Sequence, residues 1–72
     1  MFEARELWDL MMIEAEENGQ DILHVCSESG ASPSTIAKWK SGRAYPNAYW
    51  MKKLRETLLS LTAESNRRGQ FG

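Results

Sequence analysis

The sequence predicts an all-α domain, and three observations carry that prediction. Apolar residues recur three and four apart through most of the chain, the spacing of one helix face. Glycine, proline and capping residues gather at three breaks, around Gly19, Gly30 and Gly42 to Pro46. No stretch alternates apolar and polar residues as a half-buried strand does. A chain of 72 residues fits one small domain. It is predicted to span 1–64, with 65–72 as a flexible C-terminal tail poor in apolar residues.

The first helix is predicted over 2–17, a stretch without glycine or proline. Ala4, Trp8, Met11, Met12 and Ala15 form its inward stripe, with Leu7 beside them. Arg5, Glu6, Asp9, Glu16 and Glu17 fall off that stripe, and Asn18-Gly19 is a left-handed stop. Asp21 caps a short second helix over 22–28, with Ile22, Val25 and Cys26 inward. After Gly30, Ser32 is a helix cap and Pro33 occupies the first helical position. The third helix is predicted over 33–40, with Ile36 and Trp39 inward, and Ser41-Gly42 ends it. Arg43-Ala44-Tyr45-Pro46 reads as a loop. Asn47 caps a fourth helix over 48–64, whose stripe is Trp50/Met51, Leu54, Leu58 and Leu61.

Composition excludes several function classes. Cys26 is the only cysteine and His24 the only histidine, so neither a disulfide nor a four-ligand zinc site can be assembled. Cys26 and His24 are two apart, which on a helix points them to different sides and argues against a nucleophilic pair. No paired carboxylates or catalytic triad stand out, and a small helical domain offers little room for a substrate pocket. The reading is a non-enzyme with no metal and no cofactor. No apolar run approaches the roughly 20 residues of a membrane span, and the start lacks the features of a signal peptide. The expected setting is cytoplasmic, with no membrane partner.

The formal net charge of −1 hides a polarised chain. Residues 1–30 carry eight carboxylates against one base, and residues 31–72 carry eight bases against two carboxylates. No carboxylate interrupts 29–55, which suits a polyanionic partner.

The window from Cys26 to Trp39 meets the spacing demands of two short helices crossing at a tight turn. The turn needs a residue that tolerates a left-handed backbone, and Gly30 supplies it. Close crossing needs a small residue four positions earlier, where Cys26 stands. Apolar residues are needed one, six and nine positions after the glycine, where Ala31, Ile36 and Trp39 stand. The residues left facing outward are Ser32, Pro33, Ser34, Thr35, Ala37, Lys38 and Lys40, small at the start of the helix and basic toward its end.

The run from Gly30 to Gly42 resembles the helix-turn-helix of the Cro/CI-like (lambda-repressor-like) DNA-binding family, and the likeness extends over about 5–62. It implies a compact four- to five-helix domain that binds operator DNA, usually as a two-fold dimer, with the third helix in the major groove. Ser32, Pro33, Ser34, Ala37 and Lys38 match the family's base-facing positions. Lys40, Arg43, Asn47 and Tyr49 match its backbone-contacting region, and Thr35 and Lys52 complete the phosphate-contacting set. Two positions depart from the pattern: Ile22 replaces a frequent phosphate-holding glutamine, and Ser29 replaces a large aliphatic residue. Gln20 is a substitute for the missing glutamine contact.

The expected function is a sequence-specific transcription regulator, a repressor acting by operator occupancy in a prokaryotic or phage-type setting. A homodimer would supply a second half-site, with Leu59 and Leu61 as the seam. A second reading is an antitoxin-like or regulatory protein-interaction module, with a protein partner on the acidic first helix. Trp8, Trp39 and Trp50 are read as core or interface. Tyr45 and Tyr49 suit either packing or a phenol hydrogen bond to phosphate, and Arg67-Arg68 either a phosphate contact or solvent.

Overall fold

The computed structural model describes the backbone of residues 3–69 and the side chains of residues 3–65. Four helices follow one another: α1 Ala4–Glu17, α2 Ile22–Glu28, α3 Pro33–Ser41 and α4 Ala48–Gly69. No strand occurs among the described residues. None of these helices is long and apolar enough to cross a membrane.

The caps follow from local chemistry. The Asp21 carboxylate accepts the Leu23 backbone N–H at 3.2 Å, and Ser32 Oγ accepts the Thr35 N–H at 3.2 Å. Asn47 Oδ1 accepts the Trp50 N–H at 2.9 Å, which starts α4. Each satisfies a donor that the first turn leaves without a helical partner. Gly42 ends α3 with φ 80°, a left-handed cap suited to glycine.

The core is built from Trp8, Met11 and Ala15 of α1, Val25 and Cys26 of α2, Ala31, Trp39 of α3, and Leu54 and Leu58 of α4. Fully burying side chains such as Leu54, Leu58 and Val25 contributes about 1.5–3 kcal/mol each. Three tryptophans run through the packing. Trp39 lies 5.9 Å from Trp8 and 5.6 Å from Trp50, ring centre to ring centre, in tilted and edge-on contacts. Such geometry adds about 0.5–1.5 kcal/mol per pair beyond burial. Leu61 packs half-buried against the core, whereas Leu59 stays exposed.

The turn between α2 and α3 follows its spacing. Gly30 has φ 97°, and Cys26, Ala31 and Trp39 are buried while Ile36 packs against them. Ser29, the departure from a large aliphatic residue, is buried yet satisfied, because its hydroxyl donates to the Cys26 carbonyl at 2.6 Å.

Four expectations change. Helix α1 starts at Ala4, and residues 1–2 lie outside the described ones. Ala4 and Leu7 are exposed, not inward. Ala4 precedes the layer that Trp8 opens, and Leu7 stands about 100° around the helix from Trp8. Helix α3 reaches Ser41. Helix α4 continues through 65–69 rather than ending at Glu64, since nothing from Ser65 to Arg68 breaks a helix already nucleated and propagation is easier than starting. The side chains of Arg67 and Arg68 lie outside the described residues.

Candidate nucleic-acid interface

The outward side of α3 is set by its inward anchors. Trp39 and Ile36 hold the helix on the core. Ser34, Ala37 and Lys38 are thereby left exposed on the opposite side. Ser34, Lys38 and Ser41 repeat at four and three, so they share that side. Together with Ala37 and Arg43 they line an open depression of about 390 Å³. No carboxylate lines it.

The loop after α3 brings Arg43 there. The Lys38 carbonyl accepts the Arg43 N–H at 3.0 Å, the Ala44 N–H at 3.3 Å and the Ser41 hydroxyl at 3.2 Å, besides the Gly42 N–H that caps α3. These bonds fold the chain back against the end of α3. Pro46 is buried and Tyr45 half-buried, which pins the far end of the loop. The Tyr45 phenol is 3.4 Å from where a Cβ on Gly42 would stand. Tyr45 packs half-buried against the core.

Ser32 and Thr35 are already engaged. Their hydroxyls lie 2.9 Å apart in a mutual hydrogen bond, beside the cap made to the Thr35 N–H. Pro33 is exposed at the helix tip. Lys40 stands off the Ser34–Lys38 side. It lines a shallow groove with Trp8, Asp9, Met12 and Tyr45, on the flank of α3 that faces α1.

At the start of α4, the capping Asn47 and Tyr49 are exposed. The Tyr49 ring packs edge-on against Trp50 at 5.6 Å. The Lys53 ammonium sits 5.6 Å from the Tyr49 ring centre and 5.5 Å from that of Trp50. It also donates to the Tyr49 phenol at 3.5 Å. Lys52 and Glu56 share the open groove beside this pair. Around the helix, Lys52 stands between Tyr49 and Arg55. Arg55 turns toward α1, where its guanidinium lies 3.6 Å from the Glu14 carboxylate.

Sequence spacing did not single out Ser41 or Lys53 for this surface. The four-and-three repeat from Ser34 carries the signal for Ser41. For Lys53 the signal is its i+4 and i+3 spacing from Tyr49 and Trp50.

Elsewhere, Gln20 lines a different groove with His24, Glu28, Leu61, Glu64 and Ser65. That position, beside two carboxylates, repels phosphate, so Gln20 does not replace the glutamine missing at Ile22. Ile22 packs half-buried on the core. His24 is exposed with its Nε2 3.9 Å from Glu28, while Cys26 is buried. Burial pushes the Cys26 thiol up from 9.0 to about 11, with the Asp21 charge adding to the shift. A thiol held neutral in this way is a poor nucleophile.

Comparison of the chain with protein-family models, with curated proteins and with solved structures finds no match.

Proposed function

We propose that this chain is a sequence-specific DNA-binding transcription regulator of the Cro/CI-like kind, reading the major groove with α3. The observation that carries the reading is the carboxylate-free depression on α3, lined by Ser34, Ala37, Lys38, Ser41 and Arg43. A major groove about 12 Å wide admits one helix, and the small outward residues of α3 keep its leading edge slim. Lys38 has the reach and charge for guanine O6 and N7, and Ser34 donates or accepts at a base edge. Lys40 on one flank, and Arg43, Asn47, Tyr49 and Lys53 around the loop and α4, stand where phosphates border an inserted helix. Ser32 and Thr35 act mainly by shaping the start of α3.

One such domain makes few base contacts, so the reading includes a homodimer on two half-sites about one DNA turn apart. Regulation is by operator occupancy, with repression as its simplest form.

Selection of bound duplexes from a random pool tests the proposal. A palindromic motif is expected. Lys38→Ala is expected to weaken binding to that motif by about 1–3 kcal/mol and to blur the preference at one position of each half-site. No enrichment over background overturns the reading.

A further inference from the structure

Among the described residues, four of the five exposed large hydrophobic ones lie on α1 or on the side of α4 next to it. Leu7, Leu10 and Ile13 of α1 are 37%, 50% and 51% exposed, and Leu59 of α4 is 58% exposed. The fifth, Tyr49, belongs to the surface already described. On α1, Leu10 precedes Glu14 by one turn and Leu7 by two. On α4, Leu59 follows Arg55 by one turn and Lys52 precedes it by one. The Glu14–Arg55 ion pair at 3.6 Å joins these two rows into one flank of the molecule.

The flank carries charge of both signs, with carboxylates in excess on α1 and bases in excess on α4. Glu3, Glu6 and Glu17 surround the α1 aliphatics, and none of them forms a salt bridge among the described residues. Lys52 and Arg55 accompany Leu59 on α4, outnumbering Glu56, which shares a groove with Lys52. Exposed aliphatic side chains grouped in this way mark an interaction surface more often than isolated ones do.

We infer that this flank is where two copies of the chain meet, with the α1 flank of one against the α4 flank of its partner. The inference rests on the homodimer in the proposed function and adds its surface. Charge decides the occupant and the pairing. Setting α1 against α1 would oppose carboxylates to carboxylates. Setting α1 against α4 opposes Glu3, Glu6 and Glu17 to Lys52, beside the Glu14–Arg55 pair, with Leu7, Leu10, Ile13 and Leu59 between them. A two-fold axis makes this contact twice, so the flank is self-complementary and the assembly closes at two copies. A solely basic partner would match α1 but be repelled by Lys52 and Arg55.

Sedimentation of the full chain without DNA, across a wide range of concentration, tests this. A monomer–dimer equilibrium is expected. Leu10→Asp and Leu59→Asp, both at half-exposed positions and each checked for native helicity, are expected to raise the dimer dissociation constant about tenfold or more. Glu17→Lys and Lys52→Glu are each expected to weaken association, and the double exchange to restore it. Such rescue separates a cross-subunit charge contact from a fold defect. A chain that stays monomeric at every concentration overturns the inference. So does a dimer indifferent to both leucine variants, or rescue that fails. The two proposals separate cleanly: a monomer that still selects a duplex removes the dimer surface alone, and a dimer that selects none removes the DNA reading alone.

Discussion

Ser34 and Lys38 stand one turn apart on α3, and Arg43 reaches their neighbourhood only because the Lys38 carbonyl holds the loop. Lys38 and Lys40, two residues apart, therefore do different work. Lys38 faces the depression, whereas Lys40 lies on the flank beside Asp9. Lys40→Ala is expected to weaken binding to all duplexes alike and to flatten the salt dependence by about one unit in log–log slope. Titration of binding over a salt series checks this. A change in base preference would instead put Lys40 at a base edge. Cys26 makes stability depend on pH. Its folded thiol is pushed up to about 11 from 9.0, so the folded state favours the neutral form. That contribution to stability is full below pH 9 and is lost as pH rises toward 11. Urea midpoints of the wild type should thus fall relative to those of Cys26→Ala as pH rises above 9. Parallel pH profiles would show that the thiol titrates alike in both states.

Ser32 caps α3 through the Thr35 N–H and bonds the Thr35 hydroxyl as well. Ser32→Ala is expected to cost about 1 kcal/mol of stability, read from urea unfolding. Binding should suffer further, because the start of α3 carries Ser34. At the turn, Gly30 has φ 97° with open space around it. Gly30→Ala therefore meets backbone strain and no clash, and about 1 kcal/mol or more of stability should be lost in the same assay. A neutral outcome would mean the turn relaxes to another conformation. The caps at Asp21, Ser32 and Asn47 were legible in the sequence because each depends on residues two or three positions away. The length of α4 was not. Its low apolar content after Glu64 suggested a tail, yet lack of an inward stripe does not stop a helix that already has its preceding turns.

At the scale of the molecule, charge is arranged by direction. The uninterrupted basic stretch spans α3, the loop and the start of α4, while α1 holds Glu6, Asp9, Glu14, Glu16 and Glu17. Glu16 is exposed on α1, outside both the α3 surface and the aliphatic row. Glu16→Gln should speed association with non-specific DNA at low ionic strength, where the screening length is about 30 Å near 0.01 M. The gain should vanish near 0.15 M, where that length is about 8 Å. Stopped-flow rates at the two salt concentrations decide it. A gain that survives at high salt would place Glu16 close to the bound duplex.

Fold class, three of the four helix starts and the Cys26–Trp39 turn pattern were readable from residues alone, because period and capping are local properties. The inward positions of Trp8, Trp39, Leu54 and Leu58 followed from the same period. Neighbouring helices settled the rest. They left Ala4 and Leu7 in solvent and placed Gln20 beside Glu28 and Glu64, and the loop after α3 joined Arg43 to Lys38. They also exposed Leu10 and Ile13 next to the Glu14–Arg55 bridge. A helical period states which residues share a side. It does not state how wide the covered side is, since that width depends on how many helices pack there and at what height.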